Sequence, residues 1–162
     1  DFFDPTGEKY LLLHITVAAV WCKPCNDETD EIATTLAAQF GPQKVVYLQA
    51  LTEDGAYAAA KLSDLQGWID LHQNNFSTVL DPEQINLGVF FDKAAIPFNA
   101  TIDARSMEIL SASTGYATGG GDIPKWVSWA NANCPKTQVK TNGVCGCADG
   151  LVKGANGVCA AP

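Results

Sequence analysis

Two cysteines separated by two residues, Cys22 and Cys25, are the side chains best suited to do chemistry in this sequence. A helix that opens at Cys22 points unpaired backbone N–H groups, and the positive end of its dipole, at that sulfur. The thiolate, which is the form that attacks disulfides, is thereby stabilised. Cys25 follows one turn later, where it can close a disulfide with Cys22 or resolve a mixed disulfide. The spacing indicates a dithiol redox centre; half of a zinc site and a structural disulfide are the alternatives.

The elements around the two cysteines favour the redox interpretation. Upstream, residues 11–20 form an apolar, partly β-branched run that is typical of a buried central strand. Downstream, Ile32, Leu36 and Phe40 recur at helical spacing until residues 41–42, Gly-Pro, end the helix. Strand, C-x-x-C and helix is the order that a dithiol site requires, so this interpretation is favoured over a zinc half-site.

The rest of the chain alternates strands and helices, as an α/β layered fold does. We expect a strand at residues 44–50, a helix opened by a capping box at 63–66, a short strand at 75–80, a short helix at 83–87, a hairpin of 98–103 and 107–113, and a last helix at 123–133 capped by Asp122. His14 and His72 are expected to be structural, and His14 lies too far before Cys22 along the strand to serve it directly.

The motif around the cysteines reads W-C-x-P-C-x-x-E, from Trp21 to Glu28. It resembles the thioredoxin superfamily, and more narrowly the TlpA/ResA-like thiol-disulfide oxidoreductases of bacterial periplasms and cell envelopes. Residues 95–103, Ala-Ile-Pro-Phe-Asn-Ala-Thr-Ile-Asp, resemble the cis-proline loop of that family and the strand that follows it. The resemblance covers roughly residues 8–133, which is most of the chain. It implies a thioredoxin-like three-layer α/β fold with a central mixed sheet, and an extra helix and strand within residues 56–80.

The resemblance also implies roles for the site residues. Cys22 would be the nucleophile and Cys25 the resolving thiol, while Glu28 would exchange protons with them as a general acid and base. The alternative for Glu28 is a surface glutamate favoured by the helix dipole. Three residues would bind substrate: Trp21, which would shield the cysteines, and Ile96 and Pro97, whose peptide bond would be cis, would face the Cys22 sulfur and would leave a peptide edge for an extended substrate.

Two departures limit what the resemblance implies. Thioredoxins proper carry a buried Asp six residues before the first cysteine, and here that position is Thr16, so the proton-relay role of that Asp is not carried over. The P-x-x-x-T-x-x-C arrangement of peroxiredoxins does not precede Cys22, which disfavours a peroxidase. Lys23 adds a cation near the thiolate, but an exposed lysine has only a modest effect.

Composition restricts the partners and the compartment. The formal net charge of −8 and pI of about 4.5 disfavour nucleic acid and anionic membranes as partners. We interpret the acidic surface as a source of solubility, and binding of basic partners is the alternative. The longest apolar run is too short to span a bilayer. Because the sequence begins at Asp1, we interpret it as a mature form from which an N-terminal signal or anchor could have been removed.

Four further cysteines lie in the last 29 residues: Cys134, Cys145, Cys147 and Cys159. This tail has few large apolar residues, so cross-links must replace a core. We therefore expect a thioredoxin-like domain at residues 1–133 and a disulfide-stapled tail at 134–162, in an extracytoplasmic, oxidising setting. The tail resembles the end of an EGF-like module, which implies pairs Cys134–Cys145 and Cys147–Cys159. A four-cysteine zinc site, or a second redox pair at Cys145 and Cys147, are the alternatives.

The function expected from these residues is reduction of protein disulfides in the bacterial cell envelope. Cys22 and Cys25 would exchange electrons with disulfide-containing substrates and with a dithiol partner protein, without a cofactor or metal. A disulfide oxidase or isomerase is one alternative. A non-catalytic extracellular interaction module on a thioredoxin scaffold is the other.

Overall fold

A five-stranded mixed sheet forms the centre of the protein. The computed structural model describes residues 1–93, 95–135, 138–154 and 159–162. The strands are β1 Leu12–Ala18, β2 Val45–Leu51, β3 Ser77–Leu80, β4 Phe98–Asp103 and β5 Glu108–Thr114, in the order β3-β2-β1-β4-β5. β1 and β3 run parallel to β2, whereas β4 is antiparallel to β1 and β5 is antiparallel to β4. β1 is central, which explains its nearly continuous apolar sequence.

The helices follow the expected order with one exception. They are α1 Lys23–Glu31, α2 Ala37–Phe40, α3 Leu62–His72 and α4 Ile123–Ala132, and a π-helical segment, Ile32–Leu36, joins α1 to α2. The prediction of a short helix at residues 83–87 is wrong. Only a 3-10 turn, Pro82–Gln84, forms there, because Glu83 and Gln84 adopt positive φ values of 58° and 56° that a helix cannot contain.

Two helix starts differ from the sequence prediction. α3 begins before the expected capping box: Lys61 is its N-cap, and the Asp64 carboxylate accepts the Lys61 backbone N–H at 2.8 Å. The reciprocal bond expected of Gln66 is thus made by Asp64, and Ser63 lies inside the helix instead of capping it. At α4, Asp122 occupies the N-cap position, yet its side chain makes no capping hydrogen bond.

The helices cover one face of the sheet. Leu12 of β1 packs in one apolar cluster with Leu36, Phe40, Ile123 and Val127 from α1–α2 and α4. On the opposite face, Leu87 and Phe91 of the segment before β4 pack on Val17, Ala50 and Phe98. The expected α/β fold, with a mixed sheet and helices, is confirmed, and it buries the strand that leads into the cysteine motif.

The described residues of the tail form two small antiparallel strand pairs, and disulfides staple them. β6 Val139–Thr141 pairs with β7 Val144–Gly146, and β8 Val152–Lys153 pairs with β9 Cys159–Ala160. The disulfides are Cys134–Cys145 and Cys147–Cys159, which confirms the pairing that the EGF-like resemblance implied. All four tail cysteines are used in this way rather than as zinc ligands or as a redox pair.

Candidate active site

The two motif cysteines form a disulfide at the start of α1. The Cys22–Cys25 bond is 2.02 Å long, and Cys22 is the N-cap residue of the helix. The backbone N–H of Cys25 points at the Cys22 sulfur over 3.2 Å. Both side chains are buried. The local geometry therefore has the feature that stabilises a Cys22 thiolate after reduction, namely a helix N-terminal amide aimed at the sulfur.

An uncharged polar network lies under the disulfide. Gln49 donates from Nε2 to the hydroxyls of Thr16 at 3.0 Å and Thr29 at 2.8 Å, and its Oε1 accepts the indole N–H of Trp68 at 2.7 Å. Thr29 in turn donates to the Cys25 carbonyl at 2.7 Å. Thr16, which stands where thioredoxins have an acid, is thus part of a fully buried network that carries no charge.

Glu28 is a buried carboxyl group beside the motif. It lies three residues after Cys25 on α1, so the two side chains share one helical face. Its exposed fraction is 5%, which rules out the surface-glutamate alternative. Burial, together with the charge of Glu31, raises the pKa of Glu28 to about 7, although a hydrogen bond from Asn99 opposes the shift. A carboxyl group with this pKa can both donate and accept a proton near neutral pH.

Two residues of the sheet position this carboxyl group: Asn99 binds it, and His14 binds Asn99. Asn99 Nδ2 donates to Glu28 Oε1 at 2.9 Å and to the Gly115 carbonyl at 3.2 Å, which turns its Oδ1 toward His14 Nε2 at 3.1 Å. His14 Nε2 must therefore carry the proton, and its Nδ1 accepts from the Thr101 hydroxyl at 3.1 Å. Burial lowers the pKa of His14 to about 4, so the ring is neutral in this chain of hydrogen bonds.

A cavity of about 220 Å³ opens next to Glu28. The sheet supplies polar residues on the face that bears the helices, and the lining includes His14, Asn99, Thr101, Ser111, Ser113 and Tyr116. The second carboxyl oxygen of Glu28, Oε2, is buried and has no hydrogen-bond partner in the described part of the chain. Glu28 thus has one oxygen fixed by Asn99 and one that is free to hold a proton.

Tyr116 and Glu31 complete the charged surroundings of Glu28. The Tyr116 hydroxyl donates to Glu31 Oε2 at 2.8 Å, and the Gly119 amide donates to Glu31 Oε1 at 3.0 Å. Partial burial and this carboxylate raise the pKa of Tyr116 to about 12, so it remains a donor. Glu31 is therefore held as a negative neighbour of Glu28.

The predicted substrate-binding residues also lie near the disulfide. The Ile96–Pro97 peptide bond is cis, as expected. Ile96 packs against the apolar cluster that contains Cys22, Cys25 and Trp68. Trp21 directly precedes Cys22, and its indole stacks on Tyr57 and donates to Glu53. The structure thus brings all the predicted site residues of the main domain to one end of the sheet.

Lys23 pairs with Asp27, so its predicted effect on the Cys22 thiolate is weak. Its ammonium group lies 2.7 Å from Asp27, one turn along the same helix, and its side chain is 82% exposed. Because the cation is paired and solvated, its influence on the Cys22 sulfur is small. The helix N-terminus is the main local feature that favours the thiolate.

Sequence reasoning missed Asn99, and it assigned His14 only a structural role. A signal was present: polar residues recur at every second position of three strands, as His14 and Thr16, Asn99 and Thr101, and Ser111 and Ser113. Because alternate residues of a strand face the same side, this pattern marks a polar patch on an otherwise apolar face.

The comparisons with known proteins agree with the fold. No protein-family model and no curated protein sequence matches the chain. Among solved structures, a secreted Mycobacterium tuberculosis disulfide oxidoreductase homologous to E. coli DsbE is 16% identical, with a TM-score of 0.56 over 74% of this chain and 81% of that one. StoA from Bacillus subtilis is 18% identical, with a TM-score of 0.56 over 74% and 84%.

A third structure extends the same likeness. The thioredoxin domain of a thiol-disulfide oxidoreductase from Bacteroides vulgatus is 12% identical, with a TM-score of 0.58 over 74% of this chain and 81% of that one. The protein therefore has a thioredoxin-like fold with a C-x-x-C disulfide at the start of its first helix.

Proposed function

We propose that this protein is a thiol-disulfide oxidoreductase that reduces protein disulfides through Cys22 and Cys25. One observation carries the proposal: the Cys22 sulfur lies at a helix N-terminus, 3.2 Å from the Cys25 amide, and the buried acid Glu28 follows on the same helix. The arrangement supplies a stabilised nucleophile, a resolving thiol and a proton carrier. The thioredoxin-like fold of the structural relatives supports the same conclusion.

The exchange proceeds in two balanced steps. The Cys22 thiolate attacks one sulfur of the client disulfide, so that a mixed disulfide forms and one client thiolate leaves. Cys25 then loses its proton to the Glu28 carboxylate and attacks the Cys22 sulfur, which closes the Cys22–Cys25 disulfide and releases the second client thiolate. Two electrons pass to the client, and the proton on Glu28 leaves with the product. A dithiol protein restores Cys22 and Cys25 by the same exchange in reverse.

The proposed setting is an oxidising compartment outside the cytoplasm, such as the bacterial cell envelope. Two disulfides staple the tail, and such bonds persist where the glutathione and thioredoxin systems do not reduce them. One structural relative is described as secreted. Within the described residues, no helix combines the length and the apolar character needed to cross a bilayer.

Insulin reduction in the presence of dithiothreitol tests the activity. The wild-type protein should accelerate it, Cys22→Ser should abolish the acceleration, and Cys25→Ser should accumulate a mixed disulfide at Cys22 that mass spectrometry detects. A protein that accelerates nothing, and whose Cys25→Ser variant traps no client, would be the non-catalytic interaction module instead.

Equilibration with glutathione tests the direction of electron flow. The resemblance of the motif to TlpA/ResA-like proteins supports a reductant, so the Cys22–Cys25 disulfide should stay oxidised in a glutathione buffer that is mostly reduced. A disulfide that glutathione reduces readily would favour the oxidase or isomerase.

A further inference from the structure

Two stacked aromatic rings stand exposed beside the dithiol. The rings of Trp21 and Tyr57 lie 4.8 Å apart at an interplanar angle of 29°. Trp21 is 38% exposed and Tyr57 is 70% exposed, although both are large aromatic residues. Because Trp21 directly precedes Cys22, a client whose disulfide reaches Cys22 must pass close to this pair.

The backbone of the Tyr57 loop is held in an unusual conformation. Tyr57 has a φ of +64°, which is a rare value for a bulky residue. Asp54 secures the loop: its carboxylate accepts the amides of Ala56 at 2.7 Å and Ala58 at 2.9 Å, and its own amide donates to the Ala58 carbonyl at 2.8 Å. Strained residues of this kind cluster at functional sites, and here the strained position presents an aromatic ring to solvent.

Glu53 fastens the loop to the cysteine motif. Its carboxylate accepts the Trp21 indole N–H at 2.7 Å, and its backbone carbonyl accepts the Val20 amide at 3.0 Å. One carboxylate thus lies at the edge of the aromatic pair, and Asp54 follows it in the chain. Lys61, at the far end of the loop, offsets one of these two charges, while the protein as a whole carries a formal charge of −8.

We propose that this aromatic platform, formed by Trp21, Tyr57 and Glu53, binds an arginine or lysine side chain that flanks the cysteine of the client disulfide. An open aromatic face attracts a cation, and a carboxylate at its edge can accept the hydrogen bonds of a guanidinium group. Arginine should bind better than lysine, because its planar group also stacks. The inference rests on the proposed disulfide reduction and names the clients preferred by that same site.

Matched peptide disulfides test the proposal. The substrates are symmetric disulfides of a short acetylated peptide with one cysteine, in which the residue two positions before it is Arg, Lys, Gln, Leu or Glu. The value of kcat/KM for each peptide, divided by that of the Gln peptide, gives a preference that is independent of the overall rate. We expect Arg to exceed Gln roughly threefold to tenfold, which is the range for an exposed cation–π contact with a carboxylate nearby. Glu should fall below Gln.

Variants of the platform locate the preference. Tyr57→Asn, which suits a positive φ, should remove most of the Arg preference, whereas Tyr57→Phe keeps the ring and should retain it. Glu53→Gln can still accept the indole hydrogen bond but has lost the charge, so the preference should fall. The control Glu8→Gln changes the net charge equally at an exposed site away from the motif and should leave the preference unchanged.

Three outcomes would overturn the inference. Equal rates for the Arg, Gln and Glu peptides would do so, as would an Arg preference that survives Tyr57→Asn. A preference for the Leu peptide would identify the platform as an apolar contact instead. If no peptide were reduced by the wild-type protein, the proposed function itself would fail, and that result is distinct from unselective reduction.

Discussion

Asn99 donates to Oε1 of Glu28 across 2.9 Å, so that a β-strand residue fixes one oxygen of a carboxyl group on the motif helix. Asn99 has no freedom to turn over, because its nitrogen is shared by Glu28 and the Gly115 carbonyl while its oxygen faces His14. The other oxygen of Glu28 is left without a partner in the described residues. The proton of the acid therefore has a defined position.

Replacing Asn99 should change the protonation of Glu28. The Asn99 hydrogen bond lowers the pKa of Glu28, so Asn99→Leu should raise this pKa above its present value of about 7. The pH profile of disulfide exchange should then shift to higher pH. Ser113→Ala, which alters the wall of the same cavity, is the control and should leave the profile in place. An unchanged profile in Asn99→Leu would show that Glu28 does not exchange the proton.

His14 should act only through Asn99. His14→Phe frees the amide to turn its oxygen toward Glu28, which favours the protonated acid, so the pH profile should shift in the same direction. In the Asn99→Leu background, the same substitution should add no further shift. Additive shifts in the double variant would instead indicate two independent effects on Glu28.

Glu28 should make the stability of the protein depend on pH. Its folded-state pKa is raised from 4.5 to about 7. The stability that the protonated Glu28 contributes is therefore fully present below pH 4.5 and is lost as the pH rises through 7. The free energy of unfolding of Glu28→Gln, taken relative to that of the wild type, should therefore rise by about 3 kcal/mol between pH 4 and pH 8. The figure follows from about 1.36 kcal/mol per pKa unit. Urea unfolding at several pH values measures the difference. A constant difference would mean that Glu28 is ionised normally.

Cys22 should be the more reactive thiol after reduction. The Cys25 amide points at the Cys22 sulfur, which stabilises its thiolate. Brief alkylation near neutral pH should label Cys22 well before Cys25, as read by peptide mass spectrometry. Equal labelling, or earlier labelling of Cys25, contradicts the assignment of the nucleophile.

Gln49 should be important for stability. Gln49→Leu would leave the Trp68 indole and the hydroxyls of Thr16 and Thr29 without their shared partner. The free energy of unfolding should drop by about 2–4 kcal/mol, because buried polar groups lose their hydrogen bonds. Gln39→Leu, at an exposed position on α2, is the control and should change stability by less than about 0.5 kcal/mol.

The tail disulfides should stabilise the fold without taking part in catalysis. The double variant Cys134→Ser/Cys145→Ser should lose about 2–4 kcal/mol of stability at most, the usual range for one disulfide. Its rate of insulin reduction should match that of the wild type at a temperature where both are folded. Loss of activity in a folded double variant would place the tail in the electron pathway.

The sequence was most informative where chemistry and local geometry coincide. The C-x-x-C motif, the buried strand before it and the Ile96–Pro97 loop were all predictable, because each depends on residue types at fixed short spacing. The contact of Glu28 with Asn99 was not, since 71 residues separate the two and only the pairing of β1 with β4 brings them together.

Other features depended on the balance of local and tertiary interactions. The helix expected at residues 83–87 is absent because Asp81 accepts the amides of Asn86 and Leu87 and thereby organises a turn. The stacking of Tyr57 on Trp21 likewise depends on a loop conformation, and the periodicity of the sequence does not predict that conformation.

The position of the tail determines where a partner that binds the tail lies relative to the cysteine motif. Lys140 binds the last carbonyls of α4, and Lys153 binds the Pro5 carbonyl, so the tail is attached where β1 begins. The cysteine motif lies where β1 ends, about 20 Å away at roughly 3.3 Å per residue over the strand. A partner that binds the tail therefore contacts the end of the sheet opposite the cysteine motif and leaves the motif end free to meet a client.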